Sequence, residues 1–366
     1  MTTYPFPIAS HTYFNIKDSN QAYAHFLKDT RIAPVFTYSL EYTQEDILHR
    51  LGSVEKNSTA YKNLQLVLAG LKLRNENTLS TLEDFRLANE ALFTPPSPVS
   101  AVLILQNIAS KVTPETEDIW RYVTQKIAIN DSLEHTATDK QKYEPVFYEL
   151  KKYLSLYLQL ETIDTSRSLE HIIQEVMNTV GLTDWKLQTV KGGTHASTQH
   201  KEKKIIIGER YMPRSDKAKL RIAVHEVCGH AKRGLQPNIE ESEGFAIMLE
   251  QLIAAKFSYR RSFRYLAAAL GWGVFKKPMD FIEVYEIIWR VMVVMGLYVE
   301  KDAKKYAFYE VARVFRGGRA DVPGAVYIKD CVYFDANLRQ WEALLATPPT
   351  YADFVEIIEG RKRVLQ

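Results

Sequence analysis

The chain has 366 residues, and its 47 Lys and Arg against 44 Asp and Glu leave a formal charge of +3. Charge this evenly balanced speaks against a polyanion binder, so no nucleic-acid partner is expected. Hydrophobic residues at 46% and charged residues at 25% exclude a disordered chain and leave ample material for a buried core.

The opening MTTYPFPIASHTYF lacks the basic-then-apolar pattern of a secretory signal. Up to about residue 160 the pattern is helical. QAYAHFLKDT, QEDILHRLGSV, TAYKNLQLVLAGLKL and STLEDFRLANEALF all space their apolar residues by three and four. The prolines of TPPSPVS (94–100) cannot continue a helix. Helices resume in AVLILQNIASKV, ETEDIWRYVTQKIAI and EPVFYELKKYLSLYLQLETI. Polar DTSRS at 164–168 marks the expected boundary between a helical amino-terminal region, 1–164, and a second domain, 165–366.

SLEHIIQEVMNTVGL then reads as a helix closed by Gly181, and WKLQTV (185–190) alternates as a half-buried strand does. THASTQH and KKIIIGERY flank the charged turn KEKK and predict a hairpin whose second strand is 203–208. Ile205–Ile207 suits a strand buried on both faces. Ser215 or Asp216 caps a helix running through KAKLRIAVHEVCGH. From Glu243 onward the chain is mainly helical, apart from a Gly-rich irregular passage at 317–335. The longest apolar runs, AVLIL (101–105) and VMVVMGLYV (291–299), fall short of the roughly 18 residues a membrane span needs, so no membrane partner is expected. Two cysteines, Cys228 and Cys331, make no disulfide framework, which predicts a cytoplasmic setting. The fold class predicted is α+β, mainly helical, with a small mixed sheet over the helix that carries the motif below.

That motif is His225-Glu226-Val227-Cys228-Gly229-His230. In the zinc peptidase pattern two histidines four residues apart leave one face of a helix, and the Glu beside the first serves as general base. Here the spacing is five, which separates the side chains by about 140° on a regular helix, against about 40° for four. One ion needs both rings, so the helix must absorb the extra residue, most simply as a π-bulge, with Gly229 supplying backbone freedom. A third ligand is also required. Glu243, in IEESEGFAIMLEQL, is preferred because Gly244 beside it allows close helix approach; Glu240 and Glu241 are rivals and Glu250 a distant one. Cys228 reads as a packed neutral thiol. His11, His25, His49, His135 and His171 suit surface or core roles, as do His195 and His200 in the hairpin. A late cluster, Arg313-Val-Phe-Arg316-Gly-Gly, Lys329-Asp330 and Tyr333, fits either a carboxylate pocket with an oxyanion donor or a solvated basic helix end.

HEVCGH followed by an acidic E-G-F-A element, RVFRGG and K-D-x-x-Y resembles the family of microtubule-associated tyrosine carboxypeptidases and their bacterial relatives with a Q-E-G-L-A motif. The likeness covers roughly residues 165–345, with APVFTYSLEY (33–42) also similar. It implies a zincin-like metallopeptidase core with one Zn²⁺ on His225, His230 and Glu243, and Glu226 as the catalytic carboxylate. It implies a peptide or protein carboxy-terminal tail as substrate, bound by Arg313, Arg316 and Lys329, with Tyr333 aiding the oxyanion. The departures are Ser242 before the ligand and Phe245 for the usual Leu. Dipeptidyl peptidase III is similar at the motif, with the same histidine spacing, and would make the chain an aminopeptidase. A non-catalytic binding protein on a peptidase scaffold is the third reading, although Glu226 and every proposed ligand are retained.

Overall fold

The computed structural model describes residues 82–90, 93–128, 139–191, 196–209, 211, 213, 215–234, 239–257, 262–315 and 322–364. The helices expected before residue 82, and also His195 and Arg316, lie outside the described residues. In chain order come α1 (Leu82–Glu90), α2 (Pro98–Ala109), α3 (Glu117–Ile127), α4 (Asp139–Leu158) and α5 (Leu169–Thr179). Strands β1 (Lys186–Val190), β2 (Ala196–Gln199) and β3 (Lys204–Gly208) follow. Next, α6 (Asp216–Val224) runs into a π-helix (His225–Ala231), and α7 (Ile239–Ala254) and α8 (Ser262–Trp272) come after it. The chain closes with α9 (Phe281–Val294), α10 (Glu300–Val314), α11 (Cys331–Ala346) and α12 (Tyr351–Ile358). The fold is therefore α+β and mainly helical, with a small mixed sheet. No helix among the described residues is long and apolar enough to cross a membrane.

Local chemistry accounts for the boundaries. Pro95 and Pro96 separate α1 from α2, and Pro98 opens α2, where its missing N–H costs nothing. Ser168 and Ser215 cap α5 and α6 by accepting the N–H of His171 and Ala218. Gly181, at φ +72°, closes α5 while Leu182 N–H bonds back to Met177 at 2.9 Å. The irregular passage expected over 317–335 is shorter than its composition implied, because α11 begins at Cys331. Cys331, Val332, Tyr333 and Phe334 are all buried, and that continuous apolar run seats a helix.

Two compact units are present, each drawn from separated stretches of chain. One gathers the described residues of Ala137–Arg260 and Val332–Gln366, the other those of Phe6–Thr136 and Arg261–Cys331. Residue 164 lies inside the first of these.

The first unit holds the sheet, in the order β1-β3-β2. β3 pairs antiparallel with β2, placing Thr198 opposite Ile205, and parallel with β1, placing Leu187 opposite Ile205. Its central place explains its apolar run: Ile205 and Ile207 are fully buried, each stabilising by roughly 1.5–3 kcal/mol relative to exposure. In the same unit Trp341 is fully buried, stacked on Phe147 at 5.6 Å, and its indole N–H donates to Gln251 at 2.7 Å. Gln251 and Asn337 exchange amide hydrogen bonds of 3.0 and 3.1 Å, and Asn337 donates to the Gly244 carbonyl at 3.2 Å. Gly244 is required for this packing, since a Cβ there would fall 2.5 Å from the Ala336 carbonyl carbon. The neighbour that Gly244 admits is thus α11, not the motif helix.

The second unit packs α8, α9 and α10 around Phe281, Phe308 and Phe315, whose rings meet edge to face at 5.5 and 5.6 Å. Its buried charges are paired. Arg264 forks onto Glu310, and Arg313 Nε lies 3.2 Å from Oδ2 of the fully buried Asp330.

Candidate metal centre

The centre is built within the first unit. From its Ser215 cap, α6 stays regular to Val224 and then widens, so that His225–Ala231 is π-helical. Lys232 N–H bonds to the Val227 carbonyl five residues back, at 2.7 Å. Bonds of this i to i+5 kind bring residues five apart onto one face. The extra residue between the histidines is absorbed as their spacing predicted. The imidazole centroids lie 4.9 Å apart and the two Nε2 atoms 3.2 Å apart.

Gly229 serves this geometry differently from expectation. Its φ is not in the left-handed region, so conformational freedom is not what it supplies. A Cβ at Gly229 would fall 2.5 Å from Ala246 Cβ and 2.8 Å from Ala246 Cα. The missing side chain lets α7 lie against the π-helix, and that contact brings Glu243 toward the two histidines. Gly229→Ala is expected to cost about 1–3 kcal/mol by overpacking. Denaturant unfolding of the metal-free protein measures it, and an unchanged midpoint would contradict the close approach.

Glu243, in the second turn of α7, places Oε2 at 3.7 Å from Nε2 of His225 and at 3.7 Å from Nε2 of His230. Both contacts exceed a hydrogen bond. With the 3.2 Å Nε2–Nε2 separation they outline a triangle whose circumradius is about 2.1 Å, the length of a bond from a divalent metal to nitrogen or oxygen. His225, His230 and Glu243 could therefore hold a metal ion, offering it a set of mixed nitrogen and oxygen donors.

Two of the rivals are otherwise engaged. Glu241 pairs with the buried guanidinium of Arg233 at 3.3 Å. That guanidinium also lies 4.1 Å over the ring of Phe245, which gives the aromatic residue at this position a partner that Leu would not offer. The Glu240 side chain lies outside the described residues. Glu250 Oε1 sits 2.9 Å from His225 Nδ1, behind the ring. Cys228 is fully buried, and burial pushes its thiol up to about 12, which keeps it protonated and a poor ligand.

Electrostatics differ between the two imidazoles. Burial alone would drive His225 down, but Glu250 foremost, then Glu226 and Glu243, outweigh it and raise it to about 9. His230 is lowered, chiefly by burial, against the pull of Glu243. Its Nδ1 is 2.8 Å from Ser242 Oγ. Glu226 is 7% exposed and faces the hydroxyl of Thr198 on β2. That hydroxyl meets two acceptors, Glu226 Oε2 at 2.8 Å and the Glu226 main-chain oxygen at 3.1 Å.

Tyr333 is buried in the first turn of α11, in the same unit as the centre. Arg313 and Lys329 belong to the second unit, where Arg313 is paired with Asp330 and Lys329 stands in a short 3-10 turn, Ile328–Asp330. His200 follows β2 with its ring edge-on to Trp185 at 5.6 Å, and His171 lies 3.9 Å from Glu175 on α5. Sequence reasoning singled out neither Thr198, nor Ser242 and Glu250 as partners of the rings. A Thr in a polar strand carries no signal of a contact 28 residues away. Compared with models of protein families, with curated proteins and with solved structures, the chain finds no match.

Proposed function

We propose that the chain is a zinc metallopeptidase with a zincin-like core, acting as a carboxypeptidase on a peptide or protein tail. The observation that carries this reading is the convergence of three side chains on one point: the π-helical turn brings His225 and His230 together, α7 adds Glu243, and the Glu226 carboxylate is near enough to act on both rings. A radius of about 2.1 Å matches the 2.0–2.2 Å bonds of zinc to nitrogen and oxygen. Two His and one Glu also leave a coordination position open, as catalytic zinc sites do. When bound, the ion supplies a Lewis acid that acidifies water and polarises a carbonyl.

The chain's own residues supply the rest. Glu226 takes a proton from the attacking water and returns it to the departing amine. Thr198 holds the Glu226 carboxylate in place and, with its second acceptor 3.1 Å away, can turn to the main-chain oxygen once that carboxyl is protonated. β2 is an edge strand among the described residues, so a peptide can add to it by main-chain hydrogen bonds. Tyr333 is assigned to the oxyanion, and Arg313, Arg316 and Lys329 to the substrate carboxylate; those assignments rest on the family resemblance.

The test is digestion of peptides by zinc-loaded protein. Substrates with a free carboxy terminus and an acetylated amino terminus are expected to be trimmed, and carboxy-terminal amides to resist. Cleavage that instead needs a free amino terminus would establish the aminopeptidase reading. No cleavage of any peptide by the loaded protein would remove the peptidase assignment. Thr198→Val is expected to lower kcat/KM about tenfold, roughly one lost hydrogen bond to a charged group, with Thr198→Ser near wild type. Equal rates for the two variants would show that the hydroxyl does nothing for Glu226.

A further inference from the structure

We infer that Glu250 and Ser242 are positioning residues that fix the two imidazoles for metal binding, an inference resting on the metal reading of the centre. An imidazole that binds an ion through Nε2 must carry its proton on Nδ1 and must be held in the right plane. Both Nδ1 atoms have an oxygen close by on the far side of the ring from the common point, for His230 in a hydrogen bond and for His225 in an ion-pair contact that lies off the hydrogen-bond direction. Glu250 Oε1 is 2.9 Å from His225 Nδ1, and Ser242 Oγ is 2.8 Å from His230 Nδ1.

The two partners are unequal in what they dictate. A carboxylate only accepts, so Glu250 requires the proton on Nδ1 of His225 and leaves the Nε2 lone pair directed at the ion. A hydroxyl both donates and accepts, so Ser242 orients the His230 ring without selecting its tautomer. Glu250 therefore controls affinity more strongly than Ser242.

The arrangement is economical in its supports. Ser242, Glu243 and Glu250 all stand on α7. Seven residues carry the helix round to within about 20° of its starting direction, so Glu250 shares the face of Glu243 one layer further along. Next to Glu250, Gln251 is locked to Asn337 and Trp341 of α11, and Asn337 also holds the Gly244 carbonyl. One helix, braced along its length, thus presents a ligand and the outer partners of both other ligands.

The test measures zinc affinity of the purified full chain by chelator competition at an alkaline pH, where proton competition at His225 is small in every variant, with the visible spectrum of the Co²⁺ form reporting coordination. Glu250→Ala is expected to weaken zinc binding about 10–100-fold, and Glu250→Gln, which keeps an acceptor but no charge, about tenfold. Ser242→Ala is expected to lose a few-fold and Ser242→Thr to restore it. A merely structural role would lower the unfolding temperature of the metal-free protein and leave affinity unchanged. Wild-type affinity and an unaltered Co²⁺ spectrum in folded Glu250→Gln would overturn the inference, even if Glu250→Ala fails to fold. Wild-type protein that binds no zinc would bring down the metal reading as well, so the two failures are told apart by the unmutated chain.

Discussion

Glu226→Gln is expected to keep one zinc ion per chain and to lose about 10²–10⁴-fold in hydrolysis. Gln has the same shape, so the pocket beside β2 need not repack. The Thr198 hydroxyl still finds an oxygen to donate to, because an amide offers a carbonyl where the carboxylate stood. Glu226 is not among the three donors that converge, so metal content should be untouched. What is removed is the ability to accept a proton at that atom. Glu243→Gln is the natural contrast, since an amide oxygen is a weaker ligand without charge, and there zinc itself should be lost. Metal analysis and peptide turnover on the same preparations separate the two roles. Turnover that survives Glu226→Gln would take the base elsewhere. Zinc lost from Glu226→Gln as readily as from Glu243→Gln would make Glu226 part of the ion's cage.

The centre was legible in the sequence where geometry left only one solution. Two histidines five apart cannot share an ion on a regular helix, and the π-helical turn at His225–Ala231 follows from that conflict. Glu243 is the carboxylate that meets both rings, but the reason for preferring it named the wrong neighbour: Gly244 makes room for Ala336, while Gly229 makes room for Ala246. Small residues announce a close approach without saying to which element. The hairpin and the buried Ile205–Ile207 strand were likewise readable, because alternation and apolar runs are local properties. Thr198, Ser242 and Glu250 were not. Each acts by touching a side chain brought near through tertiary packing, and a polar residue at a polar position looks the same whether it faces water or a ligand ring. The discontinuous units were hidden for a related reason, since α11 joins α7 only through contacts nearly a hundred residues apart.

The high basicity of His225 has a measurable consequence for metal uptake. In the metal-free protein burial opposes its charge, yet Glu250, Glu226 and Glu243 hold its proton up to about 9. Zinc requires the neutral ring, so at neutral pH the ion must displace that proton. His230 is already lowered and releases none. Below 9 the neutral fraction of His225 rises tenfold per pH unit, and apparent zinc affinity should rise by about fiftyfold between pH 7 and pH 9 and then level off. Binding at pH 7 should release close to one proton, read as a dependence of the calorimetric heat on buffer ionisation. The sign for stability is opposite. A folded-state value above the unfolded one stabilises the metal-free protein below about 6.5, and that contribution is lost as pH climbs through about 9. The gap in unfolding temperature between zinc-loaded and metal-free protein should therefore widen from pH 6 to pH 9. Glu250→Gln removes the largest source of the raised value and should flatten both curves. A zinc affinity that is flat from pH 7 to pH 9, with no proton released, would mean that His225 is neutral before the ion arrives.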